Sequence, residues 1–117
     1  MSIGLKRVYE PAASEDGLRI LVERLWPRGL SKQDARLDHW VKDVAPSPEL
    51  RKWFDHREDR WPEFVVRYRR ELDEQPDAVE NLLTLLRDAK QATFVFASKE
   101  ERLNNAVVLR DYVSERL

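Results

Sequence analysis

Four basic residues, Arg24, Arg28, Lys42 and Arg51, carry the first chemistry that this sequence suggests. Arg24 stands late in an apolar run, Leu18 to Leu25, and Arg28 lies in the turn that follows, Trp26-Pro27-Arg28-Gly29. Proline cannot donate to a sheet ladder and glycine accepts backbone angles that other residues refuse, so a strand through this run stops here. Lys42 comes late in a second extended segment, and Arg51 falls in the first turn of a helix that Ser47 caps and Pro48 opens. Planar guanidinium forks suit phosphate or carboxylate, and a helix N-terminus adds backbone donors. At the carboxyl ends of parallel strands, where α/β proteins hold ligands, these residues would form an anion pocket, with Trp26 and Ser47 beside it. The same residues have a plainer use. Arg24 would then pair with an internal carboxylate, Glu23, Asp38 or Asp43, and Arg28 and Arg51 would stay on the surface.

Three further groups have both a chemical and a structural reading. Trp26, Trp40, Trp53 and Trp61 each stand close to a basic residue, an arrangement that can stack a nucleobase. Such residues also serve as core fillers whose indole N–H reaches a carbonyl, and Trp26, in a turn beside Pro27, is the one packing explains least. His39 and His56 lie near Asp38, Asp55 and Asp59, but adjacent residues such as Asp55 and His56 point apart on a helix, so no metal site is expected. His56, or Lys42, could act as an acid or base over a bound anion. His56 could equally cap a helix C-terminus. Asn104 and Asn105 are poor helix-interior residues, so at least one has a hydrogen-bonding role, to the neighbouring loops or to a ligand.

The elements that must position these residues follow from periodicity. Ile3 to Tyr9 reads as a short strand, residues 10–17 as a polar loop, and Ser31 to Arg36 as one helical turn capped by Ser31. Leu37 to Val44 reads as a third strand or extended segment. Helices start near Pro48, Pro62 and Pro76. The middle one carries Trp61, Phe64, Val65, Tyr68 and Leu72 inward, and the third Val79, Leu82, Leu83, Leu86 and Ala89. Ala92 to Ala97 is a continuous apolar strand of the kind buried on both faces of a parallel sheet. Ser98 and Glu101 predict a capping box for a last helix, with Leu103, Ala106, Val107, Val113 and Leu117 on its inner side. The fold expected is one α/β domain over residues 1–117, three-layered, with a small, mostly parallel sheet flanked by helices. ATFVFA is expected inside the sheet beside Leu18–Leu25, so that Arg24 and Arg28 open onto the same pocket as Lys99.

Composition narrows the function. Lys and Arg number 21 against 22 Asp and Glu, for a net charge of −1. The balance speaks against a nucleic-acid partner, which calls for a basic excess, and no helix-turn-helix is legible. There is no cysteine, hence no thiolate nucleophile and no sulfur-ligated metal. No stretch approaches the length of a membrane span, and no apolar leader opens the chain, so a cytoplasmic protein is expected. No cofactor is expected, and the sequence leaves the oligomeric state open. The open classes are a binding module for a phosphate-bearing small molecule or nucleotide, a non-thiol enzyme acting on an arginine-bound anion, and a DNA-binding regulator, which the charge balance disfavours.

At RLWPRGLSK, at LDHWVKDVAPSPELRKWF, and at RWPEF with Tyr68, Glu71 and Leu72, the chain resembles the YeaO-like family, small bacterial proteins with a domain of unknown function. The resemblance covers nearly the whole chain. It implies an α/β fold and leaves the activity open. The family usually carries a His-Asn pair near the start of its last helix, where this chain has Leu103 and Asn104. More distantly, the family resembles cysteine-dependent α/β domains related to rhodaneses and tyrosine phosphatases. There the catalytic cysteine follows a central strand and a helix N-terminus cradles an anion. The matching junction here offers Ala97, Ser98 and Lys99, so the resemblance implies an anion-binding geometry without thiol chemistry.

Overall fold

The computed structural model describes residues 2–117. Four strands, β1 (Ile3–Arg7), β2 (Leu18–Leu21), β3 (His39–Trp40) and β4 (Ala92–Phe96), form one sheet in the order β1-β4-β2-β3. Every pairing is parallel. The uncharged run of β4 is the reason it lies inside: Phe94 pairs with Leu5 on one side and Ile20 on the other, and all five β4 residues are buried.

Five helices complete the fold: α1 (Lys32–Ala35), α2 (Pro48–Phe54), α3 (Trp61–Asp73), α4 (Pro76–Arg87) and α5 (Asn105–Ser114). The two-residue period of the strands divides the core. Ile20, Phe94 and Phe96 pack with α2 to α5, centred on Phe64, Tyr68, Leu72, Leu82, Leu86 and Leu109. Leu21, Val95 and Val8 face the other way, against Ala35, Trp26, Leu30, Leu37 and Trp40. Parallel crossovers are right-handed, so β2→β3 and β3→β4, which run in opposite directions along the sheet, must leave on opposite faces. That places α1 in one layer and α2 to α4 in the other. The second layer is thin, one short helix and loop side chains, but the three-layer α/β domain is the one expected.

Three local expectations change. Strand β2 ends at Leu21, not Leu25, because the Glu23 carbonyl accepts from the Trp40 indole (2.6 Å) and the chain bends at Arg24. Within 37–44 only His39 and Trp40 pair as a strand, and Lys42–Val44 turn into a short 3-10 helix. The last helix starts at Asn105, so the Ser98–Glu101 capping box does not form. The Ser98 hydroxyl instead accepts from the nearby Glu100 amide (3.0 Å), and Asn104 is the cap, its oxygen accepting from the amides of Ala106 and Val107. A cap with two amide partners outcompetes one in a local turn. With that later start the buried face of α5 becomes Ala106, Val108, Leu109, Tyr112 and Val113, and Leu117 is exposed.

Candidate functional site

A cleft of about 570 Å³ opens over the carboxyl end of β4. One wall is the end of α2, Phe54, with His56 and Glu58 beyond it, and the other is the turn after β4, Ser98 to Glu100, with Leu103. His56 adopts a left-handed conformation (φ +53°) just beyond α2, and its ring lies 6.4 Å from that of Phe54. Three of the residues singled out from the sequence, His56, Ser98 and Lys99, are thus brought together. Leu103 also lines this cleft and gives it an apolar wall.

The turn carrying Ser98 and Lys99 is held from both sides. From β1, the Arg7 Nε donates to the Ser98 carbonyl (2.9 Å) and Nη2 to that of Ala97 (3.5 Å). From the end of β2, the Glu23 carboxylate accepts from the Ala97 amide (3.1 Å). Glu23 is only 7% exposed. Burial pushes its carboxyl above the usual range, against the opposing pull of the Ala97 amide and the charge of Arg51. Arg51 is exposed and, among the described residues, forms no ion pair with Glu23 or any other carboxylate; the same holds for Lys99. Glu100 accepts from the amides of Arg102 and Leu103, which hold its carboxyl below the usual range. The cleft therefore combines two basic side chains, two carboxylates at the rim and apolar walls from Phe54 and Leu103.

The remaining sequence candidates are not gathered there. Arg24 donates to the carbonyls of Pro46 (3.4 Å) and Ala45 (3.1 Å), a different partner from the carboxylates anticipated for it. Ser47 caps α2 and gives both its amide and hydroxyl to the Glu71 carboxylate (2.8 and 2.6 Å). Arg28 is exposed, in a loop tied to β1 by the Tyr9 hydroxyl donating to its carbonyl. Lys42 lies 4.0 Å from the centroid of the Trp40 ring, at the edge strand. Trp26 packs edge-on against Trp40 at 5.3 Å and donates to the Leu30 carbonyl, so packing does explain it. Asn104 caps α5 and donates to the Glu100 carbonyl, while Asn105 donates to that of Val22. Among the described residues no group of histidines and carboxylates is arranged to hold a metal.

Glu23 is the residue that sequence reasoning undervalued, naming it only as a counter-ion. Its signal was present: a glutamate directly after an apolar parallel strand has nowhere to go but the carboxyl end of the sheet. Arg19 was missed altogether. It lies 3% exposed inside β2, bonded to Asp16 (2.7 Å) and to the Ala35 carbonyl. It belongs to the opposite layer and holds α1.

The chain is 40% identical over 114 residues to an uncharacterised protein of Mycobacterium tuberculosis (strain H37Rv), covering 97% of this chain and 95% of that one. It is 40% identical over 113 residues to the uncharacterised protein YeaO of Escherichia coli (strain K12), covering 97% of each. No solved structure matches it significantly. The family model described as the inactive DUF488-N3 subclade matches residues 2–117, and with full-length relatives of this kind the chain belongs to that YeaO-like family.

Proposed function

We propose that this protein is a binding module for a phosphate-bearing small molecule or nucleotide, held in the cleft over the carboxyl end of β4. The observation that carries this reading is the pairing in one cleft of His56 and Lys99, the latter without an ion-pair partner among the described residues, with the apolar sides of Phe54 and Leu103. Pockets of this size, with few polar groups on apolar walls, suit small ligands. The rim carboxylates of Glu58 and Glu100 favour a ligand that carries neutral hydrogen-bond donors away from its anionic group, as the sugar and base of a nucleotide do. The description of the family as inactive is consistent with binding without turnover.

An enzymatic reading keeps His56, which is in the cleft, as its acid or base. Lys42, over Trp40, is out of position for that role.

The test is thermal stabilisation of the purified protein by phosphates and nucleotides, since a ligand that binds the folded state raises its stability by mass action. Lys99→Ala is expected to remain folded and to lose most of the ligand-dependent shift, because the Lys99 side chain is exposed and makes no ion pair among the described residues. If wild type and Lys99→Ala respond alike to every anion, the binding reading fails.

A further inference from the structure

A buried ionised carboxylate with a single amide donor is costly, because one hydrogen bond does not replace the water it loses. Among the described residues the only donor to the Glu23 side chain is the Ala97 amide. Arg51 is near enough to act on it electrostatically, but no ion pair closes between them. Nothing in the packing of β2 requires an acid here: Val22, just before it, is an ordinary core residue. Its position does stand out. Glu23 sits directly beneath the turn that presents Ser98 and Lys99 to the cleft, on the amide of the preceding residue.

We infer that Glu23 is a proton-responsive gate of the cleft: ionised, its carboxylate occupies the Ala97 amide, offsets the charge of Arg51 and disfavours a bound anion; protonated from solvent, it admits one. This rests on the anion-binding reading above and adds its regulation. Anion binding would then be coupled to uptake of one proton, and by linkage a bound anion raises the affinity of Glu23 for its proton. The direction of its carboxyl, raised by burial, brings that titration closer to neutral pH.

The charged and titratable groups around Glu23 come from several elements. Arg51 approaches from α2, and Tyr68, buried in α3, feels the charges of Glu23, Glu71 and Arg24. Burial holds the Tyr68 hydroxyl well above the usual tyrosine range, so it stays protonated. At the cleft itself, Glu58 and Glu100 are exposed carboxylates, Glu100 held low, and Lys99 is an exposed amine. His56 also lines the cleft, and its substitution is the control for the gate.

The experiment uses sulfate and a cyclic nucleotide monophosphate, whose charges stay constant between about pH 5.5 and 8, unlike that of phosphate monoesters. Wild-type affinity should rise at least about fivefold as pH falls across that range, the lower end of ordinary site–site coupling. His56→Gln should retain this rise. Glu23→Gln, near in shape, should bind at pH 8 as wild type binds at low pH, and should lose the dependence. The Ala97 amide resonance should titrate in wild type, with its midpoint moving up when sulfate is added. An unchanged midpoint, or a pH dependence that survives in Glu23→Gln and vanishes in His56→Gln, overturns the gate while leaving the binding reading standing. Absence of anion binding in wild type and Glu23→Gln at every pH overturns both.

Discussion

At Gly17 the backbone takes φ +64°, and a Cβ built there would lie 2.1 Å from the Gln91 carbonyl oxygen, which accepts from the Leu18 amide. Gly17→Ala is therefore both strained and clashing, and should cost more than about 1 kcal/mol in urea unfolding. Beside it, Asp16 is buried against Arg19 and paired with the half-buried Lys6. Burial would raise its carboxyl, but the Ala13 amide, Arg19 and Lys6 outweigh that and hold it below the usual range. An acid whose folded value is depressed contributes stability above its unfolded value and loses it as pH falls through the folded one. The Asp16 contribution should thus be complete at neutral pH and fade only below about pH 4. Asp16→Asn leaves Arg19 buried without its counter-charge and should cost about 3 kcal/mol at pH 7, by chemical denaturation. The same variant should show a flatter acid limb. If its stability falls with acid as steeply as wild type's, this ion pair is not what titrates.

Among the elements, the stretch from Ala45 to Ser47 has no regular structure, yet three side chains pin it together with Val44, the last residue of the preceding 3-10 turn. Tyr68 donates to the Val44 carbonyl, Arg24 to those of Ala45 and Pro46, and Glu71 accepts from Ser47. Buried loop carbonyls need such partners, since an unmatched one costs the desolvation of the group. Arg24→Ala should lower stability by about 1–3 kcal/mol, and the loss should be the same with and without added sulfate. A loss that anion restores would return Arg24 to the ligand site. The Asn104 cap makes a second prediction at this scale. Asn104→Ala removes the acceptor for two amides and should cost about 1 kcal/mol. Faster hydrogen exchange at Ala106 and Val107, with the rest of α5 protected, is the local sign to look for.

Over the whole molecule, the order β1-β4-β2-β3 makes β4 and β2 interior and β1 and β3 edges. Interior strands open only with global unfolding, whereas edges fray first. Amide exchange should therefore be slowest along Phe94–Phe96 and Ile20–Leu21 and faster in β1, and equal protection across the sheet would contradict this pairing. The same order sets the site. Because β2 and β4 are parallel neighbours, Glu23 and Ala97 leave the sheet at the same end, side by side. Among the described residues no helix is long and apolar enough to cross a membrane.

The elements were largely legible because local patterns encode them. An unbroken ATFVFA run marked an interior strand, and Ser47-Pro48, Pro62 and Pro76 marked three helix starts by the chemistry of capping and of the missing proline amide. The late start of α5 was not legible, because Ser98 and Asn104 both satisfy cap chemistry and only the tie from Asn105 to Val22 chooses between them. The site was half legible for a related reason. Sequence shows that an arginine can bind an anion, but a guanidinium donates equally well to a backbone carbonyl, and which acceptor lies within reach depends on chain segments far away. Arg24 thus turned out to hold the loop at Pro46, while His56 met Ser98 and Lys99, over forty residues further along the chain, at one cleft. Residue types determined what chemistry was available; the parallel packing of β2 against β4, a contact between distant segments, decided where it was placed.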